Sequence, residues 1–315
     1  MQSHILKGTL LVIIGTILFS IKAILIQWIF QYQVSVDQLI LMRMTIALPI
    51  YCGIGLYVWR SRARRQLPLP SPKSIAAMGA AGILCYHLAS YLDMWALQFI
   101  SAGLERIVLM TYPLMVACIQ HIQSERINGR QWGFIVMAYV GTVLFYYEDQ
   151  RHFGDEIIVG TLIVLLAALC TAVFSLMSHR YSQRYSGSLF SAIAMSITGV
   201  SVVSHVVLFS PPIVWVHTPT VWGIAITIAI GSTVLASLAF NNGIALAGAT
   251  RGTVAGMAGP LITMLLAALL LDAPFTPTHL IALAIVITGI VGLKRAAPSP
   301  QLRHHHQNGR QRNEA

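Results

Sequence analysis

Five ionisable side chains interrupt long apolar stretches of this sequence and could do chemistry there: Lys22, Arg43, Asp93, Glu105 and Arg106. Charged groups inside a lipid bilayer are costly, so they usually mark a route for a substrate or an ion. The two carboxylates could take up protons. The three cations outnumber them, which mildly favours a substrate with a carboxylate or phosphate group. Asp93 and Arg106 flank a short turn at matching distances, which predicts an ion pair between them, whether structural or functional.

Other polar residues recur at helical spacing beside these charges. In the third apolar segment, steps of three and four residues predict one inward-facing stripe of Gly79, Ile83, Tyr86, Ser90 and Asp93. His87 lies one residue off this stripe and could titrate near neutral pH, although a packing histidine is an equal alternative. In the eighth segment, a pathway and helix-packing contacts are equal interpretations of the four-residue spacing of Thr233, Ser237 and Asn241.

The elements that must position these residues have the length of membrane spans. Hydrophobic residues make up 56% of the 315 residues and charged residues 10%, whereas a soluble domain carries about 25% charged residues. A spanning helix needs about 20 mostly apolar residues. Ten such segments can be drawn, at roughly residues 7–30, 37–59, 74–97, 102–122, 131–148, 158–179, 188–209, 219–241, 252–271 and 278–295. The first is too long for a cleaved signal peptide. An all-α polytopic membrane protein is predicted.

The basic residues predict the orientation of these segments. The net charge of +10 comes mostly from short loops on one side, whereas the other side has only Arg151 among four acidic residues. This is a membrane-topology pattern and not a nucleic-acid-binding surface, and it predicts that both termini are cytoplasmic. The five charged residues then fall in the outer half of the bilayer, on the first four helices.

An internal repeat divides the chain into residues 1–150 and 151–296, followed by a disordered cytoplasmic tail at 297–315. Gly8-Thr-Leu-Leu-Val matches Gly160-Thr-Leu-Ile-Val, and Tyr112-Pro113-Leu114 matches Gly259-Pro260-Leu261. Five spans per copy make the copies inverted, as in secondary transporters whose site lies between the halves. Asp93 aligns with Asn242. Pro113 and Pro260 should interrupt equivalent helices, and with Gly256 they are the predicted gating residues.

The two copies resemble the EamA-type carriers of the drug/metabolite transporter superfamily. Each copy closes with a pattern like Ala-Leu…Ser-Ala-Gly…Pro-Leu…Glu, and Arg43 and the Glu125-Arg126 pair also fit. Leu271-Asp272 departs from the Gly-Glu that members often have. Over about residues 7–295 the resemblance implies a ten-helix carrier of two inverted five-helix repeats in a bacterial inner membrane. Members often export amino acids or other metabolites.

The sequence therefore predicts a secondary transporter, and more specifically an exporter, of a small metabolite such as an amino acid. It would work by alternating access, driven by a gradient or by exchange, because no nucleotide-binding motif is present. The predicted substrate pathway comprises Lys22, Arg43, Tyr86, His87, Ser90, Asp93, Glu105, Arg106, Ser237, Asn241 and Asn242. A channel or non-transporting membrane protein is the alternative, and an intramembrane enzyme lacks a catalytic constellation.

The expected partners are the small-molecule substrate, the lipid bilayer and coupled protons, without nucleic acid, and a homodimer stays open. No cofactor or metal is expected. The four cysteines all fall in apolar runs without metal-ligand spacing, and the triple histidine of the tail has no second ligand cluster.

Overall fold

The computed structural model describes residues 2–122, 128–210, 215–216, 218–247, 258–273 and 276–296, and this part of the chain is helical without a strand. The α-helices are α1 Gln2–Phe30, α2 Val36–Arg64, α3 Pro72–Gly82, α4 Ser90–Ala96, α5 Ala102–Leu109, α6 Tyr112–Ile122, α7 Gly129–Phe153, α8 Ile157–Tyr185, α9 Gly187–Phe209, α10 Pro219–Ile226, α11 Ala236–Ala247, α12 Gly259–Leu270 and α13 Pro277–Ala296. A predicted segment start near residue 252 lies outside the described residues.

Short polar side chains set where several helices begin. The hydroxyl groups of Ser35, Ser71 and Ser101 each accept a hydrogen bond from a backbone amide in the first turn that follows. Asn128 and Gln131 form a reciprocal capping box at the start of α7. Such caps satisfy amide groups that have no partner within the helix. They explain why these predicted boundaries agree with the structure to within a few residues.

Two helices contain π-helical turns in their middle. Ile83–Ala89 joins α3 to α4, and Thr227–Leu235 joins α10 to α11. A π turn adds a residue to the helical repeat and rotates the side chains that follow it. The predicted stripe in the third segment is wrong at Ile83, where the π turn begins and the side chain is exposed, whereas Ser90 and Asp93 beyond the turn are buried.

Apolar side chains cover the outside of the molecule. In the described part of the chain, seven helices are long and apolar enough to cross a membrane: Leu6–Phe30, Val36–Arg64, Pro72–Ala96, Ala102–Ile122, Gly154–Ser178, Gly187–Phe209 and Pro219–Phe240. Two shorter apolar helices are Gly259–Leu270 and Pro277–Leu293. Large residues such as Tyr57, Val207 and Phe209 are mostly exposed, while Arg43 and Glu105 are buried. A surface of this kind fits lipid and not water.

Close helix pairs bring the backbones together. The most extensive contacts join α7 to α13, α1 to α11 and α2 to α9. In the α7–α13 pair, a Cβ atom at Gly141 would lie 2.8 Å from the carbonyl oxygen of Ala282, and one at Gly289 would lie 2.7 Å from that of Phe134. Only glycine permits this approach, as is common between helices packed in a membrane.

Candidate functional site

A cavity of about 950 Å³ opens at one end of the helix bundle. It lies where the chain turns between α1 and α2, between α4 and α5, and after α12; we call it the vestibule. Its polar lining includes Gln27, Asp37, Gln98, Ser101 and Asp272, with no lysine or arginine among the described lining residues. Gln27 donates to the carbonyl oxygen of Ile100 at 2.9 Å, which fixes α1 to the turn before α5.

The five predicted charged residues form a central cluster (Lys22, Arg43, Asp93, Glu105 and Arg106) deeper in the bundle. The Lys22 Nζ atom lies 2.8 Å from Asp93 Oδ2, and both side chains are largely buried, with 15% and 5% of their area exposed. The predicted ion pair between Asp93 and Arg106 is therefore wrong. The prediction rested on the matching distances of the two residues from the turn between α4 and α5. The α4 helix, however, is rotated so that Asp93 faces Lys22 on α1.

Arg106 instead interacts with its neighbour in sequence and with α1. Its Nε atom lies 3.6 Å from Glu105 Oε2, and its Nη2 atom donates to the carbonyl oxygen of Phe19 at 3.1 Å. Asp93 lies within electrostatic range of both Glu105 and Arg106. Two carboxylates and two of the cations therefore share one buried region, where α1, α4 and α5 meet.

Arg43 is the cation of the cluster that forms no ion pair with a described carboxylate, although it is only 3% exposed. It donates from Nη1 to Ser90 Oγ at 2.8 Å and from Nη2 to the carbonyl oxygen of Tyr86 at 3.2 Å. In an α-helix the amide of Ser90 would occupy that carbonyl, but here it bonds to Cys85 and His87. The π turn thus provides the acceptor that holds the Arg43 guanidinium.

Several buried polar atoms of the cluster have no hydrogen-bond partner among the residues that the structure describes. They are Asp93 Oδ1, both carboxylate oxygens of Glu105, and the Nε atoms of Arg43 and Arg106. The Asp93 and Glu105 carboxyl groups lie within hydrogen-bond reach of each other, so a single proton between them would pair two of these oxygens. Buried polar groups are nearly always paired, so a concentration of unpaired ones marks a place where a ligand or a proton can bind. The cluster can therefore accept further donors at Glu105 and Asp93, and a further acceptor at Arg43.

The remaining predicted pathway residues are only partly brought together. Tyr51, which was not predicted, contacts Ser237 at 3.0 Å between the hydroxyl oxygens and so links α2 to α11. Asn241 and Asn242 lie on α11, but their side chains are outside the described part of the chain. Tyr86 packs edge-on against Phe174, with ring centroids 5.1 Å apart.

His87 lies at the interface with α9, within electrostatic range of Arg43 of the cluster. Its Nδ1 atom is 2.9 Å from Ser201 Oγ, and its Nε2 atom is 3.1 Å from His205 Nδ1. Both histidines are half-buried. These contacts favour the packing interpretation of His87 over a place in the central pathway.

Two of the three predicted gating residues lie at helix starts. The chain leaves α5 after Leu109 and resumes as α6 at Tyr112, so Pro113 follows a break, and it cannot donate to the carbonyl of Leu109. Pro260 occupies the first turn of α12. Gly256 lies outside the described residues. The hydroxyl group of Ser20 donates to the carbonyl oxygen of Gly259 at 3.0 Å, which connects α1 to the start of α12.

The sequence profile of the EamA-like transporter family matches residues 6–147 and again residues 158–295. The chain belongs to the EamA-like transporter family. The predicted resemblance is confirmed, and with the apolar helices it makes the chain a multi-pass membrane protein of a transporter family.

Two relatives are similar over most of their length to this EamA-like chain. "Uncharacterized transporter YcbK" of Bacillus subtilis is 28% identical over 274 residues, which cover 84% of this chain and 85% of the relative. "Uncharacterized transporter sll1319" of Synechocystis sp. is 24% identical over 271 residues, which cover 83% and 80%. A solved structure described only as "Crystal structure of protein" superposes with a TM-score of 0.60 at 20% identity, covering 90% of this chain and 95% of the other. It supports the helical fold alone.

The sequence analysis missed a second buried network of this EamA-like chain. It comprises Ser101, Asp149, Thr276 and His279, and we call it the Asp149 network. Ser101 donates to Asp149 Oδ2, and His279 Nε2 lies 3.2 Å from Asp149 Oδ1. Asp149 had been grouped with the acidic residues of a loop, but it is 2% exposed. The segment Thr276-Pro277-Thr-His279 has the pattern of a helix start, with Thr276 as the N-cap and Pro277 as the first helical residue. This pattern makes His279 the third residue of the helix and could have drawn attention to it. Among the residues the structure describes, no group of three potential metal ligands occurs.

Proposed function

We propose that this chain is a secondary transporter that exports a small metabolite, such as an amino acid, by alternating access. The observation that carries the proposal is the central cluster, in which charged groups are buried with unpaired hydrogen-bonding atoms beneath an open vestibule. A static membrane scaffold has no need to bury such groups, whereas a carrier uses them to exchange a ligand or a proton. The driving force is a gradient or exchange.

The duplicated architecture supports this proposal. The family profile matches twice in succession. α1 packs against α11 and α12, and its counterpart α8 packs in the same way against α4, α5 and α6. α2 pairs with its counterpart α9, and α7 with α13. The two π turns also lie at equivalent places in the third and eighth segments. With α7, α12 and α13 added to the seven apolar spans, the chain comprises ten spans in two inverted five-helix repeats, 1–150 and 151–296.

The orientation follows from the basic residues. The end of the bundle opposite the vestibule carries Arg60, Arg62, Arg64, Arg65 and Lys73, whereas the vestibule end has Arg151 beside Asp149 and Asp155. Positive loops stay in the cytoplasm, so both termini are cytoplasmic in a bacterial inner membrane and the vestibule faces outwards. The tail at 297–315 lies outside the described residues, and its disorder stays a prediction.

The charges of the cluster suggest how a zwitterion would bind. Its carboxylate would meet Arg43, whose charge no acid balances directly, and its ammonium group would meet the oxygen atoms of Glu105. Arginine binds a carboxylate through two parallel hydrogen bonds, which a lysine cannot reproduce. Glu105 and Asp93 are also the groups that would bind a coupled proton.

Counterflow in proteoliposomes tests the proposal. Vesicles with the purified chain are loaded with one unlabelled L-amino acid at a time, and entry of the same labelled compound is followed. We expect saturable, trans-stimulated uptake for at least one compound, and Arg43→Lys should reduce it by about tenfold or more through loss of the bidentate contact. Arg60→Lys, at the other end of α2, is the matched control.

The outcome also separates the rival functions. Flux that neither saturates nor responds to substrate on the opposite side would identify a channel. If a panel of amino acids, nucleosides and organic acids shows no flux in vesicles whose protein is folded, the transporter proposal fails. A screen for rescue of cells from toxic amino acids and nucleosides would widen the panel before that conclusion.

A further inference from the structure

Basic residues crowd the end of α2 that lies opposite the vestibule. Arg60, Arg62, Arg64 and Arg65 lie within six consecutive positions, and Lys73 follows at the start of α3. None of these five cations forms an ion pair with a carboxylate that the structure describes. Every described acidic residue lies at the vestibule end or in the central cluster. The positive charge of this end therefore has no partner within the described part of the chain.

The C-terminal end of α2 is completed by backbone groups. The amide of Gln66 donates to the carbonyl oxygen of Ala63 at 3.1 Å, and that of Leu67 donates to the carbonyl oxygen of Arg62 at 3.0 Å. Gln66 has a left-handed backbone with a φ of 53°. This is the Schellman motif, which satisfies the last carbonyl groups of a helix without side chains. The helix end therefore does not need the arginine side chains.

Two of the arginines stand together on the outer face of α2. Arg62 is half-buried and donates from Nη2 to the carbonyl oxygen of Pro68 at 2.9 Å, whereas Arg60 and Arg64 are exposed. Residues four positions apart are neighbours on a helix surface, and like charges at this spacing repel each other. An anion between Arg60 and Arg64 would replace this repulsion with two attractions. Phosphate suits the pair, since arginine binds it through parallel hydrogen bonds.

An exposed stripe runs along α2 directly beneath this arginine pair. Steps of three and four residues place Gly53 and Tyr57 on the same face as Arg60 and Arg64. Tyr57 is 76% exposed, and a Cβ atom at Gly53 would meet nothing within 4 Å. From Gly53 to Arg64 the helix rises about 16 Å, close to the depth of about 15 Å of one hydrocarbon leaflet. The stripe offers a shallow groove for an acyl chain that ends at two cations.

A second arginine pair at the same end lacks such a stripe. Arg180 and Arg184, near the end of α8, are also exposed and four positions apart, but residues 176–177, one turn earlier, are half-buried. The Arg184 guanidinium lies over the ring of Tyr185, 5.3 Å from its centroid. The Tyr185 hydroxyl contacts Ser74 Oγ at 3.2 Å, which places this pair beside the start of α3. The pair therefore has the same charge and spacing without an exposed apolar groove beneath it.

We propose that the outer face of α2 is a binding site for an anionic phospholipid, with its phosphate between Arg60 and Arg64 and an acyl chain against Tyr57 and Gly53. Basic clusters at the membrane end of a spanning helix attract anionic lipids. The stripe adds a contact that a soluble anion cannot use. The site is separate from the central cluster and does not depend on the proposed transport function.

Native mass spectrometry of the purified chain in detergent measures this binding. The chain is titrated with phosphatidylglycerol or with phosphatidylcholine, and the population of the one-lipid complex gives each Kd. We expect phosphatidylglycerol to bind about tenfold or more tightly than phosphatidylcholine, because each basic residue near an anionic lipid contributes a factor of about five. Arg60→Gln/Arg64→Gln should remove this preference. Arg180→Gln/Arg184→Gln, the matched control with the same loss of charge, should keep it.

A second variant tests the apolar part of the site with its charges unchanged. Tyr57→Ala should weaken phosphatidylglycerol binding by about fivefold, through loss of the ring contact with the acyl chain. Phe209→Ala is the matched control, because Phe209 is 78% exposed on α9 and should leave binding unchanged. Glycerol 3-phosphate carries a similar charge without an acyl chain, and at millimolar concentration it should not displace the lipid.

The opposite results overturn the proposal. If Arg60→Gln/Arg64→Gln keeps the preference, or if the Arg180/Arg184 control loses as much of it, no specific lipid site exists on α2. If glycerol 3-phosphate displaces the lipid, or if Tyr57→Ala binds like the parent, the arginine pair is a site for soluble phosphates.

A single substitution covers the case in which the double variant fails to fold. Arg64→Gln alone must reduce the preference by about fivefold, and an unchanged preference also refutes the site. Because lipid binding needs no transported substrate, a failed counterflow assay leaves this result intact.

Discussion

The central cluster and the Asp149 network are both buried and charged, but they differ in how completely their hydrogen bonds are made. In the cluster, four side chains keep polar atoms without a partner, including both carboxylate oxygens of Glu105. In the network, both oxygens of Asp149 and both ring nitrogens of His279 have partners. A satisfied network stiffens a structure, whereas an unsatisfied one is ready to bind. The comparison supports our proposal that a ligand binds at the cluster, whereas the network connects helices.

The largest expected effect on stability comes from breaking the ion pair between Lys22 and Asp93 in the cluster. Lys22→Met removes the partner of the buried Asp93 carboxylate and should reduce the free energy of unfolding by about 3–5 kcal/mol. Thermal unfolding in detergent measures it, and Lys7→Met, exposed on the same helix, should change nothing measurable. Adding Asp93→Asn to Lys22→Met should recover much of the loss. A Lys22→Met protein as stable as the parent would show that the pair is not buried as described.

A smaller loss of stability is expected when the network loses Asp149, which accepts its hydrogen bonds. Asp149→Ala leaves the hydroxyl of Ser101 and Nε2 of His279 without their shared partner, which should cost about 2 kcal/mol. Asp155→Ala, exposed at the same end of the bundle, should cost almost nothing. Equal unfolding temperatures for the two variants would contradict the structural role given to the network.

The network also depends on the close α7–α13 approach. At Gly141, an added methyl group would lie 2.8 Å from the carbonyl oxygen of Ala282, whereas one at Gly133 on the same helix would meet nothing within 4 Å. Gly141→Ala should therefore destabilise by about 1–3 kcal/mol, and Gly133→Ala should be neutral or slightly stabilising. Urea or thermal unfolding of the two variants measures the difference. If Gly141→Ala is as stable as the parent, α7 and α13 can move apart without cost.

The smallest effect on stability is expected at Glu105. Among the described residues, neither of its carboxylate oxygens has a hydrogen-bond donor, and its contact with Arg106 Nε is long, at 3.6 Å. Glu105→Gln loses that contact but also relieves the repulsion from the nearby Asp93 carboxylate, so it should change the free energy of unfolding by only about 1 kcal/mol. It should nevertheless reduce counterflow strongly, because the ligand or the proton would bind there. If it destabilises as much as Lys22→Met while flux persists, the cluster is structural and the comparison with the network collapses.

The sequence analysis was most successful where hydrophobicity and charge decide the outcome. Apolar segments of spanning length, and the family resemblance, were predicted before any coordinates because each depends on local composition and on matching motifs. Asp93, Glu105, Arg43 and Lys22 stood out for a similar reason: a charge inside an apolar run is conspicuous without knowledge of its neighbours. Their shared region followed from counting helix rise.

The interaction partners of these residues could not be predicted from the sequence. Asp93 bonds to Lys22, which lies 71 residues away, and not to Arg106 on the hairpin, because pairing depends on how helices rotate and a π turn changes that rotation. Asp149 looked like a solvated loop residue until the fold placed His279, 130 residues later, against it. The sequence alone determined that this chain lies in a membrane and which charges interrupt its apolar segments. Only the tertiary structure decided which of those charges are paired and which remain available, since that depends on the distances between helices far apart in the chain.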